Sequence, residues 1–180
     1  ILHFCSVSLV ESPMKETHKA VLKLAKKNHA IISFDPNIRL PLWSSAEACQ
    51  ETVREFLPYA DLVKLSDEEC FFVTGKHSIL DAADWLFEQG CKMVLYSMGK
   101  EGAMILTPHF SSHAENPEVR VKDTTGAGDA IIGAYLYCLA KNHITVSQLA
   151  TCSPEQVQEW LTFAVYYANY SITKSGAIAS

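Results

Sequence analysis

The chain has 180 residues, of which 48% are hydrophobic and 19% are charged, a composition typical of a globular protein. Its formal net charge of −5 disfavours nucleic acid and anionic membranes as partners. No apolar run approaches the ~20 residues of a membrane span, and no signal-peptide pattern is present. The length predicts one domain (residues 1–180), and six scattered cysteines without a C-x-x-C pair predict free thiols in a cytoplasmic protein.

The first half of the chain alternates short apolar runs with segments of helical periodicity. A strand is predicted at residues 2–5, followed by a helix that Ser12-Pro13 opens and that reaches about residue 28. A second strand, apolar enough to be buried on both faces, covers residues 30–34. Ser44 and Glu47 then form a capping-box pattern, which predicts a helix from there to about residue 57.

The second half continues this alternation. Strands are predicted at residues 61–65, 91–97, 103–106 and 119–121, the last of these after a polar loop. Helices are predicted at residues 67–74, 78–90 and 126–142 and after Ser153-Pro154. Strand–helix alternation predicts right-handed βαβ units, and therefore an α/β fold with a mostly parallel sheet covered on both faces.

Ligands of parallel sheets bind at the carboxyl ends of the strands, where loops lead into helix N-termini. We therefore expect functional residues in four segments that carry polar or glycine-rich sequence: residues 35–39, 65–69, 97–102 and 123–129.

The strongest motif is the last of these, Asp-Thr-Thr-Gly-Ala-Gly-Asp at residues 123–129. Asp129 is the only charged residue between Gly126 and Ala140, which predicts an interior helix that carries a lone buried carboxylate. Gly126 and Gly128 let backbone amides approach an anion at the helix N-terminus. Asp129 could then accept a proton from a hydroxyl that attacks a phosphate. Alternatively, Asp129 only complements the helix dipole while the glycines shape a turn.

This motif, continued by Gly133-Ala134, resembles the C-terminal signature of the PfkB, or ribokinase-like, family of carbohydrate kinases. Residues 34–39 (Phe-Asp-Pro-Asn-Ile-Arg) resemble the D-x-N-x-R segment of the fructokinase and 2-keto-3-deoxygluconate kinase branch. Residues 97–103 resemble the T-x-G-x-x-G-A nucleotide loop, and Ala164, Ala168 and Gly176-Ala177 fit the closing helix and its G-A turn. The resemblance covers all 180 residues as the C-terminal part of a longer chain, without the N-terminal part and its lid.

The resemblance implies a ribokinase-like three-layer sandwich with a mostly parallel sheet. It implies ATP-dependent phosphorylation of a sugar primary hydroxyl, with fructose as the expected substrate and Mg²⁺ and K⁺ as accompanying ions. The alternatives are another substrate of the family (2-keto-3-deoxygluconate, ribose or a nucleoside) or a non-catalytic relative that binds sugar or nucleotide. The expected partners are the sugar and ATP, with a homodimer in the full-length protein. A dinucleotide-binding oxidoreductase is disfavoured because the glycines do not form G-x-G-x-x-G.

The resemblance also implies roles for individual residues. Asp129 corresponds to the general base, and the amides of Gly126, Ala127 and Gly128 correspond to the anion hole that stabilises the transferred phosphoryl group. Nucleotide contacts are implied for Ser97, Gly99, Gly102, Ser66, Thr125, Ala164 and Ala168. Ser97 replaces the usual threonine, and residues 97–102 could instead form only a tight turn between strands.

Substrate contacts are implied for Asp35, Asn37, Arg39 and Asp129. The planar guanidinium of Arg39 suits an anionic group. The alternative is a plain loop in which Asp35-Pro36 starts a turn and Arg39 pairs with a surface acid.

Metal contacts are implied at two places. Glu69 corresponds to the residue that organises Mg²⁺ through water, although Ser66 and Glu69 also form a capping-box pattern that needs only helix chemistry. A K⁺ site is implied for Asp123, Thr125, Ser171, Lys174, Gly176 and Ser180, with plain loop structure as the alternative.

Overall fold

A six-stranded sheet runs through residues 1–176, the part of the chain that the computed structural model describes. Its strands are β1 (Leu2–Cys5), β2 (Ile32–Asp35), β3 (Leu62–Ser66), β4 (Met93–Ser97), β5 (Ala103–Leu106) and β6 (Ser111–Ala114). They lie side by side in chain order, with β1 to β4 parallel and β5 and β6 each antiparallel to its predecessor. The predicted mostly parallel sheet is confirmed.

Helices cover both faces of this sheet. They are α1 (Pro13–Lys27), α2 (Ala46–Phe56), α3 (Asp67–Thr74), α4 (Ile79–Glu88), α5 (Ala127–Lys141) and α6 (Pro154–Ile172). The first four helices contribute to one hydrophobic cluster and α5 and α6 to the other. The result is the predicted three-layer sandwich. None of the helices within residues 1–176 has the length and apolar content that crossing a membrane requires.

The central strands are mostly apolar because both of their faces are buried, and the buried polar exceptions are Ser33, Asp35 and Lys64. Side chains along a strand point alternately to opposite faces. In β4, Met93 and Leu95 therefore pack against α5 and α6, while Val94 packs into the cluster on the other face. Tyr135 of α5 is fully buried and meets Trp160 of α6 edge-on, with ring centroids 6.5 Å apart.

Three local predictions were wrong. Residues 119–121 form no strand, and the sixth strand is β6, which carries the small side chains Ser112 and Ala114 on its buried face and so lacks an apolar run. Helix α2 is capped by Ser45, whose Oγ accepts the Ala48 N–H at 3.1 Å, and not by Ser44. Helix α5 is not buried on all faces, since Asp129, Gly133 and Tyr137 form an exposed stripe.

The tight turn between β4 and β5 depends on Gly102. Its φ is +96°, and a Cβ placed there would lie 2.0 Å from the carbonyl oxygen of Ala114 in β6. Close approach of a neighbouring strand therefore requires glycine at this position, independently of any ligand.

We expect Gly102→Ala to destabilise the full-length protein by at least about 2 kcal/mol more than Gly90→Ala. Gly90 is the matched control because its φ is +101° while nothing lies within 4 Å of its Cβ position. Both variants strain the backbone, but only the first collides with a strand. Urea denaturation measures the difference, and equal losses in the two variants would contradict the collision.

Candidate active site

A cavity of about 630 Å³ opens at the carboxyl ends of β2 and β3, beside the N-terminus of α5. It is lined by residues from three of the four predicted segments, including Asp35, Glu69 and Asp129. The fourth segment lines a neighbouring cavity of about 760 Å³ through Ser97, Gly99 and Gly102. The two cavities share a wall made of Thr124, Ala127 and Gly128. Parallel topology thus brings the predicted segments together at one edge of the sheet.

The shared wall presents backbone amides to the first cavity. Gly126 is the N-cap of α5 in a left-handed conformation (φ 79°), and no side chain caps the helix. Among residues 1–176, no backbone carbonyl or side chain accepts from the amides of Gly126, Gly128 and Asp129. The amide of Ala127, which we also expected in the anion hole, donates to the Thr124 carbonyl at 3.2 Å. Three donors at the positive end of the helix dipole suit an anion.

Asp129 stands beside these amides in the first turn of α5 and lines the first cavity. The prediction that its carboxylate is buried was wrong, because its side chain belongs to the exposed stripe of the helix. A solvent-facing carboxylate beside open backbone amides is placed to accept a proton from a hydroxyl bound in this cavity.

A buried ionic cluster forms the floor of the same cavity. The Nζ of Lys64 in β3 lies 3.3 Å from Asp35 Oδ2 and 3.8 Å from Glu69 Oε2. Burial raises the pKa of Asp35 to about 6, outweighing the Lys64 ammonium, which lowers it. Sequence reasoning missed Lys64. The signal was present, since Lys64 is a lone cation in a strand whose neighbours are apolar.

Glu69 has several hydrogen-bond partners. Its Oε2 accepts from the amide and the hydroxyl of Ser66, each at 3.0 Å, and the Ser66 Oγ accepts the Glu69 amide at 3.3 Å. The predicted capping box is therefore confirmed. The other oxygen, Oε1, accepts the amide of Ile38 at 2.8 Å, which ties the loop after β2 to the start of α3.

This cavity fits a cation held mainly by water and phosphate. Within residues 1–176 no three His, Cys, Asp or Glu side chains form a metal-binding group. Oε1 of Glu69 has one protein partner and a second lone pair for a water molecule. Mg²⁺ usually retains several waters and takes few carboxylates, so contact through water suits the donors present.

The remaining predicted substrate residues also line the first cavity. Asn37 has a positive φ of 43°, and its amide donates to Asp35 Oδ1 at 3.1 Å, so the predicted turn is present. The Arg39 guanidinium is exposed and donates to the Ile38 carbonyl at 2.9 Å. No acidic side chain of the described range pairs with Arg39, which leaves its guanidinium open to a ligand.

The predicted nucleotide residues divide between the cavities. Ser97, Gly99, Gly102 and Ala168 line the second cavity, whereas Ser66 and Thr125 line the first and Ala164 packs in the core. Sequence reasoning missed Asn116 and Asn169. The Nδ2 of Asn169 donates to Asn116 Oδ1 at 2.7 Å, and Asn116 Nδ2 donates to the Gly99 carbonyl at 2.7 Å. Because Asn116 lies in an irregular loop, only the folded chain shows this connection.

Three of the predicted K⁺ residues, Asp123, Thr125 and Gly176, are joined by hydrogen bonds near the end of α6. Asp123 Oδ2 accepts the Gly176 amide at 3.0 Å, and its Oδ1 accepts the Thr125 amide at 2.9 Å. The Thr125 side chain, followed by these two backbone hydrogen bonds, lowers the pKa of Asp123 to about 2. Ser171 is buried and donates to the Ala168 carbonyl, while the Lys174 ammonium lies over the Tyr170 ring. Ser180 lies outside the described residues.

The sheet, its two helical layers and the cavities at the strand ends define a ribokinase-like α/β fold. Similar architecture is found in a fructokinase from Vibrio cholerae O395 in fructose-, ADP- and calcium-bound form, at a TM-score of 0.85 and 31% identity. That match covers 98% of this chain and 55% of the bacterial one. Fructokinase with bound ATP from Xylella fastidiosa has a TM-score of 0.86 and 26% identity, covering 97% and 56% of the two chains.

The profile of the pfkB family carbohydrate kinases matches residues 1–180, and the chain belongs to this family. Fructokinase-2 of Solanum habrochaites is 34% identical over 179 residues, which are 99% of this chain and 53% of that protein. Fructokinase-2 of Solanum lycopersicum matches to the same extent. The chain therefore spans about half the length of these relatives.

Proposed function

We propose that the full-length protein transfers the γ-phosphoryl group of ATP to a primary hydroxyl of a sugar, with fructose as the preferred acceptor. The observation that carries this proposal is the position of Asp129 beside the open amides of α5, in a cavity that adjoins the predicted nucleotide residues. Similarity to fructokinases supports fructose as the substrate.

In this reaction the sugar hydroxyl oxygen attacks the γ-phosphorus in line, and the bond from phosphorus to the β,γ-bridging oxygen breaks to release ADP. Asp129 takes the proton of the attacking hydroxyl. The amides of Gly126, Gly128 and Asp129 donate to the phosphoryl oxygens as negative charge develops on them. Asp35, Asn37 and Arg39 would orient the sugar and hold its reactive hydroxyl in place.

The two cavities suggest how the nucleotide lies. The second cavity has the apolar wall residues Ile131, Val165 and Ile172, which suit a nucleobase. From there the phosphates would cross the shared wall at Ala127 and Gly128 into the polar cavity. Mg²⁺, held by Glu69 through water, would neutralise phosphate charge there. The segments around Asp123 and Gly176 would hold K⁺.

The chain would thus be the nucleotide-binding and catalytic portion of a longer sugar kinase, as its resemblance to the C-terminal part of the family predicts. A cytoplasmic location and a homodimer of the full-length protein stay predictions. Cell fractionation and sedimentation of the full-length protein test them directly.

The decisive experiment measures ADP release by the full-length protein with Mg²⁺–ATP and a panel of acceptors. The panel contains fructose, glucose, ribose, 2-keto-3-deoxygluconate and adenosine. We expect the highest kcat/KM for fructose and little ADP release without an acceptor. A higher value for another acceptor would replace fructose as the substrate. Binding of ATP without ADP release on any acceptor would indicate a non-catalytic relative.

A further inference from the structure

Lys64 is an unusual residue for the middle layer of this fold. It lies in β3 between Val63 and Leu65, which are both fully buried, and its own side chain is only 8% exposed. Removing an ammonium from water is costly unless partners compensate for the lost hydration. The surroundings of Lys64 therefore show what its charge is used for.

Two carboxylates face this ammonium, and neither holds it tightly. Both oxygens of Asp35 lie 3.3 Å from Nζ, and Glu69 Oε2 lies 3.8 Å away. Charge-assisted N–H···O bonds are usually about 2.7–2.9 Å long, so these contacts leave bonding capacity on the ammonium. Asp35 and Glu69 thus orient Lys64 without saturating its three donors.

The ammonium also lies against the first turn of α5. A Cβ placed on Gly128 would be 3.3 Å from Nζ, so only glycine leaves this space fully open. Lys64 and the amides of Gly126 and Gly128 line the same cavity. An anion seated on those amides would therefore have the Lys64 ammonium as its neighbour on the side of the sheet.

We propose that Lys64 is a phosphoryl-binding residue that contacts a γ-phosphate oxygen seated on the α5 amides, and that Asp35 and Glu69 position it. This inference rests on the proposed function for the identity of the anion. A cation enclosed on the sheet side of the cavity acts with little screening by solvent. Its attraction also grows as charge develops on the phosphoryl oxygens during transfer.

A purely structural role makes a different prediction. If Lys64 only neutralised Asp35 and Glu69, its removal would weaken ATP binding through repulsion between the freed carboxylates and the γ-phosphate, and the double variant Lys64→Met/Asp35→Asn would regain most of the wild-type ATP-to-ADP affinity ratio. If Lys64 contacts the γ-phosphate, the ratio stays reduced in the double variant, because the donor is still absent. The ratios of the single and double variants together therefore separate the two roles.

The test compares Lys64→Met with Lys92→Met in the full-length protein. Lys92 is a suitable control because its Nζ forms an ion pair with Asp61 at 2.9 Å and lines neither cavity. Calorimetry gives the Kd of ATP and ADP in EDTA. For Lys64→Met we expect ATP binding at least about tenfold weaker and ADP binding within about twofold of wild type. Lys92→Met should keep the wild-type ratio. An unchanged ratio in Lys64→Met, or recovery of the wild-type ratio in Lys64→Met/Asp35→Asn, would overturn the proposal.

Lys64→Arg covers the case in which Lys64→Met does not fold. Arginine keeps a cation beside the carboxylates, but its planar guanidinium presents its N–H donors in a geometry different from that of an ammonium. We expect a folded variant whose ATP-to-ADP affinity ratio is reduced at least about threefold. A wild-type ratio in this variant would also contradict the contact. Failure of ADP release by the wild-type protein would refute the kinase reaction, whereas these binding ratios would still report on Lys64.

Discussion

Replacement of Asp129 with asparagine is expected to lower kcat of the full-length protein by at least about 10³-fold, with the Kd for ATP changed less than about threefold. Asparagine has nearly the shape of aspartate but cannot take the proton of the attacking hydroxyl. The amides of the first turn and the second cavity stay in place, so nucleotide binding should persist. ADP release with the best acceptor and calorimetric titration with ATP measure the two quantities.

Asp84→Asn is the matched control for this experiment. Asp84 is an exposed aspartate of α4 that lines neither cavity, so the same chemical change should leave kcat within about twofold. Turnover of Asp129→Asn within tenfold of wild type would contradict a role as general base. The carboxylate would then serve only to complement the dipole of α5.

The wild-type protein is expected to lose up to about 3 kcal/mol of its free energy of unfolding as the pH rises from 4 to 7, when it is compared with Asp35→Asn at each pH. Burial raises the pKa of Asp35 from 3.8 to about 6, so the folded chain holds this proton more tightly than the unfolded chain. The contribution to stability is complete below pH 3.8 and is lost as the pH rises through about 6. The asparagine variant does not titrate at this position and lacks that loss.

Urea denaturation of the full-length protein between pH 4 and 7 measures this dependence. Asp123→Asn is the control because the pKa of Asp123 is lowered to about 2, so its contribution to stability is complete above pH 3.8 and varies with pH only below that value. The difference in free energy of unfolding between Asp123→Asn and the wild-type protein should therefore stay constant between pH 4 and 7. The prediction is contradicted if the free energy of unfolding of the wild-type protein, relative to that of Asp35→Asn, rises with pH. Attraction to Lys64 would then outweigh burial and lower the pKa of Asp35.

The sequence allowed prediction of most of the fold because its elements carry strong local signals. Strands β1 to β5 are rich in apolar residues, and α3 begins at a capping box that the structure confirms. Strand β6 was not predictable in this way, since it is held by backbone pairing with β5 and has no apolar run. Its presence depends on tertiary contacts that periodicity does not record.

The candidate site was predicted in outline for a similar reason. Parallel topology places the ends of β2 and β3 at one edge, so the segments that follow them meet. Individual contacts were not predictable. The position of Lys64 between Asp35 and Glu69, and the pairing of Asn116 with Asn169, join residues that are far apart in the chain.

The hydrogen bonds of Glu69 restrict how this site can evolve. One carboxylate begins α3, holds the loop after β2 and faces the cavity. A mutation of Glu69 would therefore alter the start of α3 and the loop after β2 together. The metal contact proposed for Glu69 could not be changed by a substitution at this position without disturbing both. Evolutionary adjustment of the site is instead expected at neighbours that have one task each, such as Arg39.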